Sequence, residues 1–362
     1  MNTKEINIFS PGIVILLVLI YLIASIVGFS YNIKGLTGVN NKTIIVILFG
    51  LIAYSIGILI AKQTNKKYKI KKSNLIERIT SKNIILSLVI IGIILQIINF
   101  IYLGGIPLFS GYLKAKAATR IWLLSYLIFL PSINILLAKY FNKKQYILLI
   151  FGLILFSLTG YRTTAIAILI SALITIYYTQ KIPWKYILLS ILGIIIILLG
   201  IGYIATQFIE WQTWTLNPIE LLFYRAGYTL QVLNNAIMLE AQTNGQLLYN
   251  TLTGFLKSTD PRAIVGQVTL GYFHSTTSTI FGPAILDFGI PVMLIQMMVL
   301  GFILETISSI QLKEKGLFTA LYAILTAHTI IWIETGPTDL VIFLFFLITI
   351  IITIFSIKTK EG

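Results

Sequence analysis

The chain has no cysteine, two histidines and only twelve acidic residues among 362. Without thiols, disulfide frameworks and Cys-based zinc sites are excluded, and the redox compartment leaves no trace. Charged residues make up 11%, against about a quarter in a soluble domain, and hydrophobic residues reach 57%. Disordered and soluble repeat architectures fall with the same figures, because both need polar residues that are missing here. A mean hydropathy of +0.93 describes a chain built for lipid. No stretch forms a Walker loop, a dinucleotide fingerprint or a carboxylate-rich divalent-metal motif. ATP-driven and metal-dependent chemistry lose support, and neither a cofactor nor a metal site is expected.

What is present is a series of apolar runs. A hydrocarbon core of about 30 Å takes roughly 20 helical residues. Ten runs lie near 13–29, 44–61, 84–103, 121–138, 146–158, 164–178, 186–205, 291–310, 317–333 and 340–357. The expected fold class is all-α: one integral membrane domain over 1–362, a polytopic bundle of about ten transmembrane helices. No small-x-small cleavage site closely follows the first run, which reads as a retained anchor.

The net charge of +15 would point to nucleic acid in a soluble chain, but here the positive residues sit in short connections between runs. The partners this implies are membrane lipids rather than nucleic acid. Lys62, Lys66, Lys67, Lys69, Lys71, Lys72, Arg78 and Lys82 crowd the connection at 62–83. Translocating that cluster is costly, so it is expected to be cytoplasmic, with a short helix or contacts to anionic lipid within it. Alternation from there puts both termini inside. Trp122, Trp184 and Trp332 fall at run ends, where amphipathic rings prefer to sit.

The same alternation leaves 206–275 outside as one long segment rich in aromatic and aliphatic residues. Connections longer than about 15 residues are usually functional or disordered, and this composition argues against disorder. It opens with Glu210-Trp211-Gln212-Thr213-Trp214; the two tryptophans can stack on sugar rings or anchor the interface. Asn217-Pro218-Ile219-Glu220 then reads as an N-cap, a proline at the first helical position and a glutamate at the third. The helix that follows places Arg225, Tyr228, Thr229 and Asn235 on one arc, with Leu221, Leu222, Leu230, Leu233 and Met238 for packing. Arg225 can meet phosphate oxygens with its planar fork of donors, or pair with Glu220 or a nearby carboxylate and so stabilise the loop.

Further outer candidates follow. Asp260-Pro261-Arg262 and Tyr272-Phe273-His274-Ser275-Thr276-Thr277-Ser278-Thr279 bring hydroxyls, an imidazole and a carboxylate to the membrane edge, before Asp287. His274 can serve as a general base or only position a sugar or phosphate. The Gly160-Tyr161-Arg162-Thr163-Thr164 turn follows a run too short to clear the bilayer comfortably. Arg162 therefore either faces a hydrated cavity or snorkels to headgroups. Lys114, Lys116 and Arg120 follow a Gly- and Pro-broken stretch and can bring cations over a cavity mouth. His328 lies in the ninth run without a metal-type partner, as a core histidine would.

Together these features resemble the Wzy-type oligosaccharide repeat-unit polymerases, or O-antigen polymerases, of the GT-C membrane glycosyltransferase group. The resemblance rests on the Gly104-Gly105-Ile106-Pro107-Leu108-Phe109 turn, on Gly160-Tyr161-Arg162-Thr163, and on the outer loop with Arg225 and Arg262. Its strongest part is Ser278-Thr279-Ile280-Phe281-Gly282-Pro283-Ala284-Ile285-Leu286-Asp287-Phe288-Gly289. It implies a GT-C-like bundle in the cytoplasmic membrane, working on its outer face. The implied reaction moves a growing glycan from one polyprenyl pyrophosphate to a hydroxyl of a second lipid-linked repeat unit. A chain-length regulator and a flippase are implied as partners.

The arginines that match the family's active ones are Arg225 and Arg262, expected at the pyrophosphate, with Arg162 for cavity electrostatics or pyrophosphate. His274 is expected as base or orienter, with Asp260, Glu210 and Asp287 as substitutes. Lys114, Lys116, Arg120 and Tyr228 complete the substrate-binding set. The arginine-plus-ten-plus-glycine spacing of some members is absent, since Ala236 and Phe273 fill those places. A ligase of the same fold, a transporter or flippase binding through the same arginines, and a non-catalytic scaffold remain open readings.

Overall fold

Lipid cannot satisfy a backbone N–H or C=O, so a chain this apolar must close its hydrogen bonds within helices. The computed structural model does so across the residues it describes: 7–65, 68–70, 74–180, 183–208, 216–254, 256 and 260–359. The elements begin with α1 (Ile13–Ser30), α2 (Asn41–Thr64), α3 (Asn74–Ile79), α4 (Lys82–Leu103), α5 (Gly111–Lys116), α6 (Arg120–Lys139), α7 (Gln145–Ser157) and α8 (Arg162–Thr179). They continue with α9 (Trp184–Phe208), α10 (Pro218–Met238), α11 (Gln246–Leu252), α12 (Pro261–Leu270), α13 (Gly282–Phe288), α14 (Ile290–Lys313), α15 (Leu317–Thr335) and α16 (Leu340–Ser356). Two three-residue strands, Tyr68–Ile70 and Ile357–Thr359, accompany them.

Each of the ten apolar runs lies in one of these helices. Seven are long and apolar enough to cross a membrane: α1, α2, α4, α6, α8, α14 and α15. The others are shorter in their apolar parts, Gln145–Ser157, Lys185–Ile196 and Leu340–Ser356. The chain is a polytopic membrane helical protein.

Its contacts gather into two compact units, each assembled from separate stretches. The first comprises Met1–Tyr68, Leu222–Ser309 and Thr329–Leu340; the second comprises Lys69–Leu221, Ile310–His328 and Val341–Gly362. In the first, α2 and α14 cross backbone to backbone. A Cβ on Gly57 would stand 1.9 Å from the Met298 carbonyl oxygen, and one on Gly301 would stand 2.2 Å from that of Tyr54. Between membrane helices no hydrophobic force pulls, so such close approach supplies the dispersion contact that holds the pair.

Helices α10, α11, α12 and α13 share a small core, in which Val232, Ala236, Leu247, Val265 and Leu286 are all buried. The described residues of the long 206–275 segment include α10, α11 and α12. On α10, Leu221, Leu230 and Leu233 pack inward as expected. Leu222 and Met238, also expected to pack, are about half exposed. Ala226, Val232, Ala236 and Ile237 do that work instead, because the buried stripe is wider than the leucine pattern.

The second unit is held by one ring and one amide. Phe129 of α6 fills the space over two glycines, with a Cβ on Gly92 meeting Phe129 at 2.8 Å and one on Gly152 at 2.1 Å. Buried Asn134 of α6 donates to Ser171 Oγ at 3.0 Å and accepts from Thr175 Oγ1 at 2.8 Å, tying α6 to α8. His328 is buried too, with its Nε2 3.1 Å from the Tyr126 hydroxyl and its Nδ1 2.8 Å from the Ile324 carbonyl oxygen.

Candidate functional site

Helix α10 starts where the sequence says it should. Asn217 Oδ1 accepts from the backbone N–H groups of Ile219 and Glu220, at 3.0 and 2.8 Å, and Glu220 reaches back to the Asn217 N–H at 3.0 Å. That reciprocal cap consumes Glu220. Arg225 pairs instead with Glu334 at the end of α15: Nε and Nη2 both donate to Oε1, at 2.8 and 2.7 Å. The negative charge of Glu334 is the main reason the Arg225 pKa is raised, so the guanidinium stays charged at any working pH.

Arg262, at the start of α12, repeats the arrangement. Its Nε donates to Thr338 Oγ1 at 2.9 Å and its Nη2 to Asp339 Oδ2 at 2.6 Å. Glu334 and Asp339 flank one short turn, Thr335-Gly336-Pro337-Thr338. Gly336 there has φ +72°, and a Cβ on it would meet the Thr279 carbonyl oxygen at 2.7 Å. A single turn between two spans therefore holds both arginines. The side chains of Arg225 and Glu334 are 45% and 37% exposed, those of Arg262 and Asp339 24% and 44%. Ion pairs this open to solvent contribute only about 0–1 kcal/mol to stability, so their ligand chemistry matters more.

Hydroxyls surround the pairs. Tyr228 and Tyr272 share a hydrogen bond at 3.2 Å, Tyr224 stacks on Tyr228 with ring centroids 5.8 Å apart, and Thr229 lies 3.4 Å from Thr277. Burial, then the bond to Tyr272, pushes the Tyr228 pKa up and keeps its phenol neutral. Tyr21 of α1 is near enough to interact electrostatically with Arg225 and Glu334. His274 is exposed, 6.2 Å from the Tyr272 ring.

The carboxylates offered as substitutes for the base go elsewhere. Asp287 is buried, and its two oxygens accept from Thr243 Oγ1 at 2.6 Å and from the Leu247 and Leu248 N–H groups at 3.0 and 2.7 Å. Those bonds cap α11 and brace it against α13. Asp260 caps α12 through the Arg262 N–H at 2.9 Å. Glu210, Trp211 and Trp214 lie outside the described residues.

Arg162, Lys114, Lys116 and Arg120 belong to the second unit. Gly160, with φ +76°, lets the chain turn so that Arg162 opens α8, and the Tyr161 hydroxyl donates to the Lys114 carbonyl at 3.2 Å. The Leu108 N–H donates to the Leu158 carbonyl at 2.9 Å, so the Gly-Pro stretch and the Gly-Tyr-Arg turn meet. Lys116 bonds the Tyr112 hydroxyl and stands over that ring, while Arg120 is exposed at the start of α6.

A family model described as "Putative O-antigen polymerase" matches residues 7–346, nearly the whole chain. The chain belongs to this family. Two relatives come from Methanocaldococcus jannaschii. Uncharacterized protein MJ0419 is 27% identical over 333 residues, covering 89% of this chain and 91% of its own. Uncharacterized protein MJ0420 is 30% identical over 289 residues, covering 80% and 67%. No solved structure matches. Membership in the O-antigen polymerase family supports a polymerase-type function.

Three residues at the arginines escaped the sequence reading: Glu334, Thr338 and Asp339. Their signal was available. In a chain with twelve acidic residues, two of them border one Gly-Pro connection between apolar runs.

Proposed function

We propose that this O-antigen polymerase family member joins polyprenyl-pyrophosphate-linked oligosaccharide repeat units by glycosyl transfer at the outer face of the cytoplasmic membrane. The observation carrying this reading is the pair of arginines, each held along one edge by a carboxylate of the same turn. The Nη1 edge of each guanidinium remains to meet a pyrophosphate. As the glycosyl bond breaks, negative charge grows on the bridging phosphate oxygen. Preorganised guanidinium donors stabilise that charge more than they stabilise the ground state.

Glu334 carries the second half of the chemistry. Donor pyrophosphate on the Nη1 edge neutralises the Arg225 charge and so loosens its hold on Glu334, and the freed carboxylate accepts the proton of the attacking sugar hydroxyl. The hydroxyl oxygen bonds to the anomeric carbon, the bond from that carbon to phosphate breaks, and polyprenyl pyrophosphate leaves with the electron pair. The base is thus released only when donor is bound, which limits idle hydrolysis. His274 and the tyrosine hydroxyls orient sugar.

The test compares glycans from cells lacking the protein with cells complemented by it. Repeat-unit ladders that collapse to single units without the protein, and return with it, agree with the proposal. Full-length polymer stranded on the lipid carrier would assign ligation, single units held on the inner face would assign flipping, and an unchanged ladder would remove the protein from glycan assembly.

A further inference from the structure

The interface between α4 and α6 in the second unit contains polar groups that the proposed reaction has not used. Gln96 and Asn99 are fully buried. Among the described residues, both polar atoms of Gln96, the Asn99 Nδ2 and the buried Trp122 Nε1 have no hydrogen-bond partner. Two bonds fix their level. Ser125 Oγ donates to the Gly92 carbonyl at 2.8 Å, and Thr119 Oγ1 donates to Asn99 Oδ1 at 2.5 Å. Gly92, Gln96 and Asn99 follow each other at i, i+4, i+7 spacing, and Thr119, Trp122 and Tyr126 on the facing segment at i, i+3, i+7, so the four orphaned atoms belong to residues at or between the levels of those two bonds.

Buried amides without partners are costly in any protein interior, and more so where the surroundings are hydrocarbon. Something other than this chain must satisfy them. Its chemistry follows from the inventory: the two amide NH2 groups and the indole N–H supply donors, and only the Gln96 carbonyl oxygen accepts. The occupant is rich in acceptor oxygens. Beside the layer, Trp122 packs on Tyr161 with centroids 5.7 Å apart, and the Tyr161 hydroxyl donates to the Lys114 backbone carbonyl. A donor-rich, neutral layer suits an oxyanion.

We propose that Gln96, Asn99 and Trp122 form a phosphate-binding site between α4 and α6. It rests on the proposed function only in taking lipid-borne phosphate as one source of the ligand. Because the orphaned groups are now sealed from solvent, binding requires α4 and α6 to part locally, and the ligand stabilises the protein by linkage.

The experiment uses the full chain purified in detergent and follows its thermal midpoint with geranylgeranyl phosphate, geranylgeraniol or inorganic phosphate. The expected result is a rise of several degrees with the prenyl phosphate and none with the alcohol. Gln96→Leu and, independently, Trp122→Phe should abolish the rise while leaving the ligand-free midpoint equal or higher, since each removes an unsatisfied group. Arg225→Ala should keep it. An equal rise with inorganic phosphate assigns the site to free phosphate. A rise with the alcohol alone, or with neither phosphate, overturns the proposal and leaves a pocket for water; so does a rise that both variants retain. Loss of the polymerase reading in the cellular ladder, with this binding intact, would leave the site standing.

Discussion

The two units treat polar residues in opposite ways. Around α10 and α12 the polar groups are charges, partly open to solvent, each arginine matched to one acid. Between α4, α6 and α8 they are neutral amides and hydroxyls, fully buried, some paired like Asn134 and some unpaired like Gln96. The physics explains the division. An exposed ion pair adds little to stability, so it is free to exchange partners; a buried amide either holds the fold or waits for a ligand. Substitutions in the first place should therefore cost activity, and substitutions in the second should cost stability or binding.

The largest effect expected is at Glu334. Glu334→Gln removes both the partner of Arg225 and the proton acceptor, and turnover in a reconstituted assay should fall by about 10³-fold with the thermal midpoint nearly unchanged. A variant that unfolds instead would break the contrast between the units. Next come Arg225→Ala and Arg262→Ala, each lowering turnover roughly 10²–10³-fold. Lysine at either position should recover only part of that, because it lacks the planar fork. Retention of near-normal turnover at limiting lipid donor by both alanine variants would remove pyrophosphate binding from these residues.

Asp287→Ala sharpens the comparison from within the first unit, because this acid is buried and accepts three hydrogen bonds. It should behave like a second-unit residue, destabilising by about 2–4 kcal/mol through orphaned N–H groups, measured by chemical or thermal unfolding. The smallest effect is at Asn134. Asn134→Leu should cost about 1 kcal/mol, the usual worth of an interhelical hydrogen bond in a membrane bundle, and leave the turnover of folded protein unchanged.

What could be read from the sequence follows the range of the interactions. The ten runs and the Asn217 cap are local: hydropathy over a window and four consecutive residues decide them. The partner of Arg225 is not, since Glu334 lies 109 residues away and Glu220 was the only acid within helical reach. The same limit applies to Asp287. In the sequence it stands among outer-edge hydroxyls like a candidate base, and only the return of α11 onto α13 shows its oxygens are engaged by Leu247 and Leu248. The unpaired Gln96 and half-paired Asn99 are invisible in a hydropathy profile, where an amide every few residues barely lowers the average of an apolar run.

The most direct test of the central claim is the length distribution of products in liposomes carrying only this protein and a lipid-linked repeat unit. The account predicts a ladder with wild-type protein and unextended repeat units with Glu334→Gln or Arg225→Ala. A full ladder from either variant, or no chain extension by the wild type under conditions where it is folded, would contradict it.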